Sequence, residues 1–194
     1  MVYESKWNQI GPSHLHFKKG HVSPVQLNNI HFPQTDSVNY LGIHLNRKLT
    51  WRNHISAKGK QLDLKLRNTY RIIGRKSQLS LANKLLVYKA ILKPIWTKGI
   101  QLWGTASNSN TDILERFQSK VLRIITDAPW YVPNAVTKHD LQVPSVRQEV
   151  RTFSVTYHAR LEDHPNDLAT SLLQQPPHNH RLTRYYPADL ATRF

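Results

Sequence analysis

Between Ser37 and Thr111 fourteen side chains carry positive charge: Arg47, Lys48, Arg52, Lys58, Lys60, Lys65, Arg67, Arg71, Arg75, Lys76, Lys84, Lys89, Lys93 and Lys98. One carboxylate, Asp63, stands among them, so this stretch holds +13 of the chain's +15. The flanks are close to neutral, with three basic and two acidic residues in 1–36 and ten and nine in 112–194. Concentrated positive charge repels itself and destabilises the compact state unless an anion sits against it. A polyphosphate backbone is the natural anion, because each neutralised phosphate releases condensed counterions. The competing reading is a solvated lysine-rich helical face, and the scarcity of acids weighs against it. Tyr40, Trp51 and Tyr70 are interleaved with Arg47, Lys48, Arg52 and Arg71. In such a pattern rings stack on bases or pack against sugars while cations hold phosphates. Tyr70 lies on an apolar stripe and reads better as a core anchor. For Trp51 both readings stand.

Other chemistries find little support. Nucleotidyl transfer needs carboxylates converging on metal ions, yet Asp36 and Asp63 stand alone, and Glu162-Asp163 are adjacent on a helix end. No catalytic residue is therefore assigned. His14-x-His16 and His178-x-His180 read as surface or strand histidines, not metal ligands, because no cysteine or nearby acid completes a set. The chain has no cysteine, which excludes disulfide partners, zinc fingers and thiol nucleophiles. Neither a Gly-x-Ser-x-Gly elbow nor a glycine-rich phosphate loop occurs. Lys89, Lys93, Pro94 and Lys98 interrupt the most apolar window, Leu85 to Trp103, so no membrane span is expected. The N-terminus lacks the apolar run of a signal peptide. An intracellular location, nucleus or cytoplasm, is compatible with this, and the basic runs are too dispersed to choose between them.

The elements that must position the cations divide in two. Residues 1–50 read as strands and turns, with Val38–Leu45 as an aromatic and branched-aliphatic strand and Gly42 as a bulge or a point of close backbone approach. After Trp51 the period becomes helical. Ile55, Leu62, Leu66, Tyr70 and Ile73 share one face, and Lys60, Arg67, Arg71 and Arg75 cluster opposite. Lys58, Lys65 and Lys76 form a second basic row, Gly74 is a stop signal, and Gly59 weakens the helix by about 1 kcal/mol relative to alanine. Ser80 caps a second helix that Pro94 kinks or ends. Its lysines, Lys84, Lys89 and Lys93, are expected to point outward from a core element. Asp112 and Glu115 open a third helix that ends at Asp127-Ala128-Pro129. Asn134 caps a short one. Ser145 with Gln148 is a capping-box pattern opening a last amphipathic helix through Leu161, and Asp167 to Gln174 adds a short turn. The fold class is α+β: a short antiparallel β segment, then a mainly α-helical bundle, then a disordered tail. The expected divisions are 1–50, 51–126, 127–175 and a tail at 176–194.

These residues resemble a family. Tyr40-Leu41-Gly42-Ile43-His44-Leu45, Leu49-Thr50-Trp51-Arg52-Asn53-His54-Ile55 and Ile73-Gly74-Arg75-Lys76-Ser77 appear in order. They are followed by Leu85 to Pro94, Gly99-Ile100-Gln101-Leu102-Trp103-Gly104, Phe117-Gln118-Ser119-Lys120 and Ala128-Pro129-Trp130-Tyr131-Val132. Their order and spacing, over roughly 5–175, are similar to the segment after the catalytic core in reverse transcriptases of jockey-like non-LTR retrotransposons. Departures are Asn39 before Tyr-Leu-Gly, Lys98 where an aromatic is usual, and Gly11-Pro12-Ser13 in place of a basic turn.

The resemblance implies an RNA-directed DNA polymerase. Residues 1–50 then correspond to the last palm strands with a primer-holding hairpin, 51–126 to the helical thumb, and 127–175 to a helical C-terminal extension. The implied nucleic-acid-binding residues are Tyr40, Gly42, Arg47, Lys48, Trp51, Arg52, Lys60, Arg67, Arg71, Arg75 and Lys76, and the partner is an RNA–DNA or DNA duplex held by its phosphates. The catalytic Asp-Asp turn of the family lies upstream and has no counterpart here, so the chain alone is expected to catalyse nothing. It is expected to need the missing fingers and palm, and with them magnesium; no cofactor is assigned to this chain. Two rivals stand beside this reading. One is a basic helical module for anionic membranes or acidic proteins. The other is a non-functional truncated copy whose β segment lacks its sheet and aggregates through exposed edges.

Overall fold

A computed structural model describes residues 26–27, 30–31, 35–171, 173 and 190. The tail expectation and both His-x-His pairs lie outside them, save Leu190. The chain divides into two compact units, Met1–His54 and Ile55–Phe194.

The first unit holds two antiparallel pairs, β1 (Gln26–Leu27) with β2 (Ile30–His31), and β3 (Ser37–Tyr40) with β4 (Ile43–Asn46). The expectation of one strand across Val38–Leu45 is corrected. Leu41 and Gly42 both have positive φ, 50° and 79°, and fold the run back on itself as a two-residue hairpin. Primed turns of this kind need positive φ at both central residues, which glycine supplies without strain. Gly42 is thus a turn residue, not a bulge. The register pairs Val38 with Leu45 and Tyr40 with Ile43 on one face, and Ser37 with Asn46 and Asn39 with His44 on the other. Asn46 anchors the exit: its Oδ1 accepts from the Thr50 backbone at 2.9 Å and its Nδ2 donates to Thr50 Oγ1 at 2.8 Å.

The long helix α1 (Arg52–Ile73) follows. His54, Ile55, Leu62, Leu66, Thr69 and Ile73 are its buried positions, and Gly74 lies just past its end. Next come α2 (Leu81–Val87), a single π-helical turn (Tyr88–Leu92) and α3 (Lys93–Thr97). Ser80 caps α2 by accepting from the Asn83 backbone. Pro94 explains the π-turn. Its ring lacks an N–H and crowds the carbonyl four residues back; widening the turn, with Lys93 N bonding Tyr88 O, relieves both. The helix continues through the proline instead of ending at it.

Gly99, at φ 68°, separates α3 from α4 (Ile100–Trp103). The buried Trp103 donates its indole N–H to the carbonyls of Trp96 and Lys98 at 3.1 and 3.2 Å, satisfying the end of α3. Gly104 is small for a packing reason: a Cβ there would come within 2.7 Å of the Val150 side chain and of the Ile100 carbonyl.

The next helix, α5 (Asn108–Thr126), starts a turn earlier than Asp112 suggests, after an extended Ser107, and stops at Asp127 in the left-handed region. Pro133, not Asn134, occupies the cap of α6 (Asn134–Asp140). The capping box of Ser145 and Gln148 opens α7 (Val146–Glu162), and α8 (Asp167–Thr170) ends the described helices. The second unit's core joins Tyr88, Leu92, Trp96, Ile100 and Trp103 with Leu114, Val121, Leu122, Val146 and Val150. Leucine- and valine-sized chains fully buried in this way contribute about 1.5–3 kcal/mol each. The observed order, β hairpins and then helices, is the expected α+β class.

Candidate nucleic-acid interface

α1 is about 33 Å long at ~1.5 Å per residue, enough to run beside many phosphates. Its buried stripe leaves the opposite side to Lys60, Arg67 and Arg71, which are exposed with Arg52 and Lys65. Arg75 and Lys76 are exposed in the turn that follows. Among the described residues, no acid lies within ion-pair distance of Arg52, Lys60, Lys65, Arg67, Arg71 or Lys76. The single carboxylate of the helix, Asp63, is occupied by Lys120 at 3.2 Å. Arg75 meets Asp127 at 3.0 Å, both largely in solvent, a contact worth about 0–1 kcal/mol. Lys58 differs from the outer row: burial, and then the like charge of Lys98, lowers its pKa.

Within the first unit the residues expected to bind do not gather at one place. In the first unit Tyr40 and Gly42 lie at the turn end of the hairpin, both exposed. Arg47 and Lys48 lie past the far end of β4, beyond its four residues, which span about 13 Å. Trp51 is 5% exposed, its ring edge-on to the buried His54 at 6.4 Å. His54 Nδ1 in turn accepts from the His44 backbone. Of the two readings of Trp51, burial fits the structural anchor and leaves no ring face open for a base. In the second unit Lys60, Arg67, Arg71, Arg75 and Lys76 do form one exposed row and its continuation.

Tyr70 departs from expectation. It is 52% exposed, beside a shallow depression with Asp63, Leu66, Arg67, Lys120 and Ile124. The stripe at that level is closed instead by Thr69, which bonds the Lys65 and Leu66 carbonyls. The outward reading of the second helix's lysines holds for Lys89 and is corrected for the others. Lys84 is buried and donates to the Gly74 carbonyl at 3.1 Å. Lys93 is half-buried and pairs with the buried Glu149 at 2.5 Å. Two exposed aromatics, Trp130 and Tyr131, lie outside the set of residues expected to bind. A bulky aromatic pair set between Pro129 and Pro133 was the available signal that they stand in water.

A hairpin unit and a helical unit with one long basic outer face define the class of chain. The chain is 39% identical over 170 residues to the "Probable RNA-directed DNA polymerase from transposon X-element" of Drosophila melanogaster, a match spanning 88% of this chain and 19% of that protein. It is 33% identical over 177 residues to the "RNA-directed DNA polymerase from mobile element jockey" of Drosophila funebris, covering 87% and 19%. It is 32% identical over 155 residues to the "Probable RNA-directed DNA polymerase from transposon BS" of Drosophila melanogaster, covering 80% and 17%. The chain is thus similar to one part of the jockey-like RNA-directed DNA polymerases of mobile elements and spans about one-fifth of the length of those relatives. No family model matches it, and no solved structure does.

Proposed function

We propose that this chain serves a mobile-element reverse transcriptase as the part that grips the template–primer duplex, with α1 as a thumb helix and the β3–β4 hairpin near the primer end. The observation that carries the proposal is the row Lys60, Arg67 and Arg71 on one exposed face with no acid in reach among the described residues. Cations so placed bind a phosphate backbone without reading bases. The proposed divisions are a palm-end segment at 1–50, the thumb at 51–126 and a helical extension at 127–175. Tyr40, Gly42, Arg47, Lys48 and Arg52 are assigned to the primer side, with polymerisation and its magnesium left to the fingers and palm of the complete polymerase.

The test is the salt dependence of duplex affinity for the purified chain. Lys60, Arg67, Arg71 and Arg75 replaced together by alanine should reduce the magnitude of the slope of log K against log salt by about 3–4, at roughly 0.9 per lost phosphate contact. An unchanged slope places the duplex elsewhere. Anionic vesicles that bind the chain and are not displaced by duplex would favour a membrane role instead. Among the described residues no helix is long and apolar enough to cross a membrane.

A further inference from the structure

The connection between α5 and α6 presents the most exposed aromatic ring among the described residues. Trp130 is 89% and Tyr131 69% exposed. They occupy the two central positions of a β-turn closed by Val132 N bonding Pro129 O at 3.2 Å. Turn tips usually carry Gly, Asn, Asp or Pro; a tryptophan there forgoes the stabilisation that burial would give. The rings stand edge to face, with centroids 6.1 Å apart at 81°.

The turn is held from behind. Arg123 spends its guanidinium on this one loop: Nε donates to Asn134 Oδ1 at 2.9 Å, Nη1 to Pro129 O at 2.7 Å and Nη2 to Val132 O at 2.5 Å. A charged fork bonding the carbonyls of the turn's first and last residues fixes the pedestal on which the rings sit. The basic row of α1 reaches the same place, because Arg75 binds Asp127, three residues before Trp130. That pairing engages Asp127, the acid closest to the turn in sequence, and Arg71 and Lys76, near Arg75 in sequence, are exposed cations. Two flat π faces on a rigid turn, at the end of a row of phosphate-binding charges, match an unstacked base better than a protein groove, which would call for a continuous apolar surface.

We propose that Trp130 and Tyr131 form a stacking platform for an unpaired base of the nucleic-acid strand that leaves the duplex at the α1 end. This rests on the duplex reading of α1, and the experiment separates the two. Affinities of the full chain are measured for a blunt duplex and for the same duplex with a five-nucleotide single-stranded extension. The wild type should prefer the extended duplex by about tenfold, the scale of one base stacked on an aromatic ring. W130A/Y131A should abolish that preference and leave blunt-duplex affinity unchanged, whereas W130F/Y131F should keep most of it. Loss of both affinities in the alanine variant, or an unaltered preference, overturns the platform. Equal wild-type affinity for both probes, with the salt slope still falling in the α1 variant, overturns the platform alone. Failure of the wild type to bind either probe overturns the duplex reading as well.

Discussion

The outer face of α1 and the helices from α2 to α7 use the same residue types for opposite ends. On that outer face Lys60, Arg67 and Arg71 stand in water, with no acid within ion-pair distance among the described residues. Farther along, most lysines and arginines with a described partner are tied into the fold. Lys84 binds the Gly74 carbonyl, Lys93 the buried Glu149, Lys138 Glu115, and Arg147 Asp112 at 2.8 Å, while Arg123 holds the aromatic turn. The difference teaches that positive charge in this chain is two populations. One stabilises the fold through short internal contacts, and the other leaves a field in solvent at a cost in self-repulsion.

Substitutions can break this division or sharpen it. Lys93→Met should have the largest effect, a loss of about 3 kcal/mol, because it strands the Glu149 carboxylate in the core; duplex affinity below the melting transition should not move. Calorimetry with a binding titration checks both, and a weakened affinity without lost stability would put Lys93 in the other population.

Tyr88→Phe should cost about 1 kcal/mol at neutral pH by removing the hydroxyl that accepts from Gln118 Nε2 at 3.2 Å. The tyrosine also gives this region an alkaline limit. Burial raises the Tyr88 pKa from 10.0 to about 12. The folded chain therefore keeps a proton that the unfolded chain loses, and stability falls as pH rises from 10 towards 12, by at most about 1.4 kcal/mol per unit. Melting curves across that range should steepen for wild type relative to Y88F. Parallel curves would refute it.

On α1 itself, Gly59→Ala should raise stability by about 0.5–1 kcal/mol. A Cβ there meets only Ile113 Cγ2 at 3.7 Å, an ordinary contact, and alanine restores helix propensity. A lower Tm would mean that α1 needs the glycine. Smallest of all in stability is Lys60→Ala, within about 0.5 kcal/mol as for other exposed positions, yet it should lower the salt slope by about 1. That separation, large for Lys93 on stability and nil on binding, reversed for Lys60, is the sharpest form of the comparison.

The sequence disclosed what is local. The helical stripe of Ile55, Leu62, Leu66 and Ile73, the Ser80 cap and the Ser145–Gln148 box were legible because caps and periodicity are read within a turn or two. Gly42 stands out in the sequence, but its role does not. A bulge and a primed turn both call for glycine, and only the pairing of Ser37 with Asn46 chooses between them. The α5 start was missed because Asp112 and Glu115 make a helix-start signal, whereas Arg147 takes Asp112 and Lys138 takes Glu115 across the fold.

By itself, then, the sequence determined that thirteen net positive charges fall in one stretch, that most of that stretch is helical, and that it resembles a mobile-element polymerase segment. Periodicity, capping and composition are properties of neighbours along the chain. Tertiary structure alone decided which cations stay in water, that Tyr70 is half-exposed while Trp51 is buried, and that Trp130 stands on a pinned turn. Those outcomes depend on residues far apart in sequence, Glu149 for Lys93 and Asp127 for Arg75. No local pattern fixes which distant partner a side chain will meet, and that meeting decides between a structural ion and a free one.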